Sequence, residues 1–166
     1  MPVPEPVNSN RLHPAEPHQA ADREAYKARV RTELDHLVAA FMASFTNTGG
    51  LTPDLEGIRR LFIPEGRIIS SVGPTPVIMD LDGFIEPRRR ILTDGTLTEF
   101  SEWELSERTE VFGSVAHRFS AYAKSGVLNG HRFEARGHKS SQFLRTPAGW
   151  RICSMTWDDE PNPEAT

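Results

Sequence analysis

Cysteine is nearly absent from this chain of 166 residues, since Cys153 is the only one. A single cysteine excludes an internal disulfide and suits a reducing compartment, so we expect a cytoplasmic location. Long apolar runs are also missing, because the longest, at residues 37–45, is too short to cross a bilayer. The N-terminus is proline-rich and acidic, without the pattern of a signal peptide. We therefore expect no membrane partner.

Charge of one sign does not gather in a stripe. The net charge is −4, and lysine and arginine are scattered along the chain. The nearest basic cluster, Arg88, Arg89 and Arg90, is typical of a solvated helix face, so we expect no nucleic-acid partner. The chain also lacks a phosphate loop, a dinucleotide glycine motif and a nucleophile elbow. We expect no cofactor.

Metal-binding patterns are weak as well. Asp80 and Asp82 precede a helical pattern and are interpreted as helix caps rather than metal ligands, because no further ligand has supporting spacing. His131 and His138 lie seven residues apart on one predicted strand, so they face opposite sides. We predict no metal site.

Proline concentrates at the two ends of the chain. Residues 1–21 form a proline-rich segment that we expect to be a disordered arm, and residues 159–166 are expected to be a flexible tail. The length between them suits one domain, at residues 22–158.

The first half of the chain has helical periodicity. Residues 22–45 place apolar side chains at spacings of three and four, which predicts one amphipathic helix; its stripe is Tyr26, Val30, Leu34, Leu37, Phe41 and Phe45. Thr52 and Pro53 predict the start of a second helix that ends at residues 64–66. A third helix follows Asp80 or Asp82, and Pro87 must then lie in its first turn.

The second half changes to a period of two. Short strands are predicted at residues 67–72 and 77–79, and long strands at 97–112, 115–124, 131–145 and 150–157. Gly113 and Ser114 form a two-residue turn, residues 125–130 a wider turn and residues 146–149 a four-residue hairpin. Helices followed by antiparallel strands predict an α+β fold.

The turn at Gly113 fixes the register of the first long hairpin. It pairs Phe112 with Val115 and predicts one mixed sheet face, which carries Trp103, Leu105, Glu107, Thr109, Val111, Ala116, Arg118, Ser120 and Tyr122. Aromatic, charged and hydroxyl groups together are typical of a partly polar cavity. A one-residue bulge in the long strand would exchange part of this face for the other.

This order of elements resembles the nuclear-transport-factor-2-like superfamily, also called SnoaL-like. The resemblance rests on the first helix, on the segment RLFIPEG at residues 60–66 and on GWRI at 149–152, and it covers roughly residues 22–158. It implies three helices held in the concavity of a strongly curved, mostly antiparallel sheet, the cystatin-like cone. It also implies a pocket at the open end and homodimers through the sheet face.

The family includes steroid isomerases, dehydratases, epoxide hydrolases, polyketide cyclases, transport adaptors and kinase assembly modules, so the resemblance implies a place for a site rather than one reaction. Trp103, Glu107, Arg118, Ser120 and Tyr122 are the candidate ligand-binding residues, and no catalytic residue is assigned. The alternative for Glu107 and Arg118 is a cross-strand pair that only stabilises the sheet.

Two functions follow as expectations. The first is a homodimeric protein that binds a small, partly apolar molecule and acts as a cofactor-independent isomerase, dehydratase or cyclase by acid–base catalysis. The second is a non-catalytic association or protein-recruitment module, with a filled cone and an apolar sheet face that includes Phe119 and Met155. Whether the protein is an enzyme stays open.

Overall fold

The computed structural model describes residues 17–161. The expectations for residues 1–16 and 162–166 lie outside that part of the chain. The helices are α1 (Pro17–Ala43), α2 (Ile58–Leu61) and α3 (Leu81–Thr93), with a 3-10 turn at Thr48–Gly50. The strands are β1 (Phe62–Ser70), β2 (Val77–Met79), β3 (Leu97–Phe112), β4 (Val115–Leu128), β5 (His131–Thr146) and β6 (Gly149–Asp159).

Helix α1 confirms the apolar stripe of the sequence. Four of its predicted members are at most 4% exposed, namely Val30, Leu34, Phe41 and Phe45, while Tyr26 and Leu37 pack against the same core. The helix begins at Pro17, so residues 17–21, assigned above to the arm, are helical. Burial of this stripe against the sheet, rather than helix propensity alone, stabilises so long a helix.

The second helix is much shorter than predicted. It occupies only Ile58–Leu61, because Asp54 Oδ1 accepts from Gly57 N at 3.1 Å and closes a turn before it. Phe62 already pairs with Ile152 of β6, so residues 62–66 extend strand β1 instead of ending the helix. Sheet pairing therefore ends the helix before the predicted residues 64–66.

Helix α3 is capped as expected, since Asp80 Oδ1 accepts from Gly83 N at 2.7 Å. Pro87, however, lies in the helix interior and not in the first turn. A proline there lacks the N–H that would bond to the carbonyl of Gly83 four residues earlier. Buried Phe84, Ile85 and Leu92 on both sides of the proline hold the helix against the core.

One six-stranded sheet has the order β2-β1-β6-β5-β4-β3, with β1 and β6 parallel and the other pairs antiparallel. The three helices pack on its inner face. Two bulges in β3, at Glu99 and Leu105, bend this strand and increase its twist. This is the α+β cone that the resemblance implies.

The register of the first hairpin is confirmed from the turn as far as Glu107, which pairs with Ser120. Beyond that point the prediction is wrong, because Leu105 is bulged out and Glu104, not Leu105, pairs with Tyr122. The bulge moves Trp103 and Leu105 to the outer face, where they are 44% and 46% exposed. It brings Glu102 and Glu104 inside.

The second hairpin also differs from expectation. Strand β4 continues to Leu128, and Asn129 and Gly130 alone form the turn, both with positive φ. That conformation is the one a tight two-residue hairpin requires. None of the helices within residues 17–161 is both long and apolar enough to cross a membrane.

Candidate functional site

A cavity of about 480 Å³ opens between α1, α3 and the inner face of the sheet. Its wall is largely apolar and includes six aromatic residues, Phe41, Phe45, Phe84, Phe100, Phe133 and Trp157. Several of these rings fix one another in place: Phe84 makes edge contacts with Phe45 and Trp157, at centroid distances of 5.6 and 6.2 Å. A few hundred Å³ of largely apolar, preformed space is typical of small-molecule sites.

A buried ion pair interrupts this apolar wall. Glu102 from β3 and Lys139 from β5 face each other through Oε1 and Nζ, and their side chains are 8% and 7% exposed. Burial lowers the pKa of Lys139, while the nearby Glu102 carboxylate acts against that shift. Because both groups line the cavity, a bound molecule meets an acid and a base at one wall.

A second polar pair lies beside the first. Lys124 Nζ is 2.9 Å from Asp159, and both residues line the cavity. The hydroxyl of Tyr122 donates to the same Asp159 carboxylate, and its ring lies 3.9 Å from Lys139 Nζ. Burial and the hydrogen bond to Asp159 raise the pKa of Tyr122, so its proton stays on the phenol. Tyr122 thus contacts Lys139 through its ring and binds the carboxylate partner of Lys124 through its hydroxyl.

Gly137 makes room for this arrangement. It pairs with Tyr122 across β4 and β5, and a Cβ there would lie 2.3 Å from Tyr122 Oη and from Asp158 O. No side chain fits in that space. The glycine therefore lets the tyrosine ring cross the strand and reach Asp159.

Arg88 completes the charged groups of the cavity. Its guanidinium lies 3.7 Å from the Phe84 ring centroid, and Nη1 donates to Phe84 O at 3.2 Å. Burial lowers the pKa of Arg88 to about 10, so it remains charged at neutral pH. This corrects the interpretation of the triplet: Arg90 is exposed and Arg89 binds Glu56, but Arg88 turns inward.

The five predicted ligand-binding residues lie elsewhere, and none lines the cavity. Trp103 lies on the outer face because of the bulge. Arg118, Ser120 and Tyr122 are on the inner face as predicted but are at most 2% exposed. Glu107 is also on the inner face, with a side chain 37% exposed. That these residues contact a ligand stays a prediction.

Arg118 forms a closed cluster under α1. Nη2 binds Asp35 of the helix, Nη1 lies 3.2 Å from Glu104, and Nε lies 2.8 Å from Thr109 Oγ1 and 3.6 Å from Glu107. We define the Arg118 cluster as Asp35, Glu104, Glu107, Thr109, Arg118 and Ser120. Its contacts connect α1 to strands β3 and β4, and they include the cross-strand contact between Glu107 and Arg118.

Comparison with known proteins finds similar solved structures but no matching family model or curated sequence. No protein-family model and no curated protein matches the chain. A nuclear transport factor 2-like superfamily protein from Salmonella enterica serovar Typhimurium has a TM-score of 0.67 at 17% identity, over 82% of this chain and 95% of that one. A cystatin-like NTF2-like protein from Novosphingobium aromaticivorans has a TM-score of 0.66 at 17% identity, over 92% and 96%. LinA has a TM-score of 0.68 at 8% identity, over 83% and 90%.

This chain has the nuclear-transport-factor-2-like fold. The similar structures match it over most of their own length, and the cone agrees with the resemblance seen in the sequence. Similarity at 8% to 17% identity indicates the fold alone. Any reaction must therefore be inferred from the residues of this chain.

Within the nuclear-transport-factor-2-like cone, the cavity groups can hold and move protons. Glu102 is an acceptor, and Lys139 is a donor whose lowered pKa makes proton release easier than in water. Among residues 17–161, no group of three or more histidine, cysteine, aspartate or glutamate side chains is arranged to hold a metal ion.

Sequence reasoning missed Glu102, Lys124, Lys139 and Asp159. A signal for Lys139 was present: the Asn129-Gly130 dipeptide is a strong marker of a two-residue hairpin, and that turn pairs Ser120 with Lys139. Because residues 125–130 were interpreted as a wide turn, the register between β4 and β5 was not predicted. Nothing in the period-two pattern marked the bulge that brings Glu102 inside.

Proposed function

We propose that this protein binds a small, largely apolar molecule in the cone cavity and isomerises, dehydrates or cyclises it by acid–base catalysis without a cofactor. The observation that supports this proposal is the Glu102–Lys139 pair in the wall of an aromatic cavity. Buried charges are costly to fold, so a pair that faces open space rather than a packed core is a candidate for chemistry.

The surroundings favour proton transfer at this wall. In a cavity of low polarity, charges interact more strongly than in water, and a positioned carboxylate removes a proton from an apolar substrate more readily. The Lys139 ammonium lies beside Glu102 and can stabilise the anion that results. Glu102 is therefore proposed as the base and Lys139 as the electrophilic or acidic partner.

A ligand screen by thermal shift tests the binding proposal, with Glu102→Gln and Lys139→Met as site variants. The exposed ion pair of Glu24 and Lys27 provides matched controls, Glu24→Gln and Lys27→Met. We expect compounds that raise the midpoint of wild type and of both controls to lose most of that effect in the site variants. Equal shifts in all five proteins would contradict the proposed site.

Conversion of the compounds that bind tests catalysis, followed by mass spectrometry or NMR. Glu102→Gln should abolish turnover while ligand binding persists in part, because glutamine keeps the shape but accepts no proton. Turnover that survives in Glu102→Gln would remove the proposed base. With Cys153 as its only cysteine, the protein is further proposed to work in the cytoplasm, which fractionation of its host cells tests.

The outer face of the sheet favours a second proposal, homodimerisation. Phe112, Val115 and Phe119 are 84%, 56% and 55% exposed, and Trp103 and Leu105 are close to half exposed on the same side. Such an apolar face is typical of a surface that meets a partner. Dimerisation through this face is compatible with ligand binding in the cone, because the face and the cavity lie on opposite sides of the sheet.

The purely associative alternative loses two of its expectations. The cone is not filled, because it contains the cavity. Met155 is 1% exposed and belongs to the core, not to the outer face. What remains of that alternative is Phe119 and its apolar neighbours.

Sedimentation velocity tests the dimer with Phe119→Ser and, as a control, Leu51→Ser, which removes an exposed apolar side chain outside the sheet. We expect a dimer for wild type and the control and a monomer or a weaker dimer for Phe119→Ser. A monomeric wild type at all concentrations tested would refute the proposal.

A further inference from the structure

The cations of the cavity are not matched by equal numbers of carboxylates. Lys139 pairs with Glu102, and Lys124 pairs with Asp159. Arg88 lines the same cavity, and within residues 17–161 no carboxylate lies within 4 Å of its guanidinium. The polar lining therefore carries three positive charges against two negative ones.

Two other arginines of this region, Arg59 and Arg89, do have carboxylate partners. Arg59 binds Glu56 and Asp82, and Arg89 binds Glu56. Arg88 instead lies over the rings of Phe84 and Trp157, at 3.7 and 5.6 Å. Contact with two aromatic faces holds the guanidinium in place without neutralising it.

The hydrogen-bonding capacity of Arg88 is also mostly unused. A guanidinium has five N–H donors in a planar fork, which matches the two oxygens of a carboxylate. One donor, on Nη1, is used by the Phe84 carbonyl. A ligand anion beside the ring of Phe84 would gain both the charge and the remaining donors.

We infer that the ligand of this cavity is an aromatic or polycyclic carboxylic acid whose carboxylate binds Arg88 while its apolar body contacts the aromatic wall. This inference rests on the proposed function and specifies its substrate class. Arg88 is then a residue that determines specificity, and Glu102 and Lys139 remain the groups proposed for proton transfer. The anion would bring the charges of the cavity into balance.

Equilibrium binding of 2-naphthoate and 2-naphthamide tests this inference, because the two probes share one ring system and differ mainly in charge. Binding is followed through calorimetry, with quenching of the tryptophan fluorescence, to which Trp157 in the cavity wall contributes, as a second signal. We expect wild type to bind the acid at least about tenfold more tightly than the amide, the range that a charged hydrogen-bonded contact supplies.

Three variants separate the charge of Arg88 from its packing. Arg88→Gln should reduce the preference for the acid to within about threefold, whereas Arg88→Lys should retain part of it because the charge stays. Arg90→Gln, on the exposed side of the same helix, should leave the preference unchanged. Thermal midpoints show that each variant is folded before its affinities are compared.

The outcomes distinguish this inference from the proposed function. Equal affinity of wild type for acid and amide, or a preference that survives in Arg88→Gln, overturns the role of Arg88 while leaving the cavity as a ligand site. If neither probe binds although neutral compounds raise the midpoint in the thermal-shift screen, the anionic class is again wrong. If no compound of either kind binds, the proposed function fails, and this inference fails with it.

Discussion

The inner face of the sheet buries a cation at two places, and they differ in what covers them. The Arg118 cluster surrounds one arginine, 1% exposed, with three partly exposed carboxylates and is covered by helix α1. Lys139, 7% exposed on its side chain, has one direct carboxylate partner and faces an open cavity. The two cations lie on neighbouring strands of the same face. What differs is the cover: helix α1 lies over Arg118, whereas the cavity lies beside Lys139.

This difference separates two uses of buried charge. Where a helix covers the ions and adds a counter-charge, as α1 does through Asp35 for Arg118, the ions connect elements of the fold. Where aromatic side chains leave space beside the ions, a molecule from outside can reach them. We therefore expect changes at Arg118 to affect stability mainly and changes at Lys139 to affect both stability and binding.

Removing Arg118 should have the largest effect. Arg118→Met removes three hydrogen bonds of a buried charged group, to Asp35, Glu104 and Thr109. The carboxylates left behind are 23% to 59% exposed, so the lost hydrogen bonds dominate the cost, about 3–5 kcal/mol of unfolding free energy. Urea denaturation measures the loss, and Arg23→Met on the exposed side of α1 is the control, expected within about 0.5 kcal/mol of wild type. Ligand affinity of the folded fraction should not change. A loss below about 1 kcal/mol would show that the cluster does not hold α1 to the sheet.

Removing Lys139 should cost less, about 2–3 kcal/mol, because only the Glu102 carboxylate loses its partner and cavity water can reach it. The double variant Glu102→Leu with Lys139→Met should recover to within about 1 kcal/mol of wild type, since apolar replacement of a buried pair is often neutral. The same double variant should bind no ligand that needs the pair. Additive losses in denaturation would argue against a direct interaction between the two residues.

A finer comparison uses two hydroxyls. Ser120 Oγ donates to Glu104 at 2.6 Å in the Arg118 cluster, and Tyr122 Oη donates to Asp159 beside the cavity. Ser120→Ala and Tyr122→Phe should each cost about 1.5 kcal/mol in denaturation, the lower end for a hydrogen bond to a charged group. Only Tyr122→Phe should also weaken ligand binding, because it frees a carboxylate that lines the cavity. Equal effects on binding would remove the distinction between the two regions.

The smallest effect concerns pH. Because burial lowers the pKa of Lys139, the unfolded chain holds more protons than the folded one between that lowered pKa and the ordinary value of 10.5. Stability from this residue is therefore lowest below the folded pKa and increases as the pH rises toward 10.5, by less than about 1.4 kcal/mol per pH unit. The gap in unfolding free energy between wild type and Lys139→Met should widen over this range. A constant gap would show that Lys139 titrates alike in both states.

The sequence predicted the architecture because it depends on strong patterns. The α1 stripe and the turn at Gly113 each follow from a periodicity or a dipeptide with one geometric solution. The cavity depended instead on a bulge that no sequence pattern marked. The bulge at Leu105 has no marker in a strand that mixes charged and apolar residues on both faces, and it exchanged Trp103 for Glu102.

Pro87 shows the opposite limit of local reasoning. Proline is unfavourable inside a helix, but the burial of Phe84 and Ile85 stabilises α3 across this position. The continuation of α3 past that point is what places Arg88 at the cavity. Tertiary burial, which no single-residue preference contains, therefore decides the candidate site.

A crystal structure of the complex with a compound that raises the thermal midpoint tests the central claim most directly. We expect the molecule to lie in the cone against Phe84 and Trp157, with a polar atom within hydrogen-bond distance of Glu102 or Lys139. A molecule bound at the Arg118 cluster or on the outer face, with the cone filled by the protein's own side chains, would contradict it.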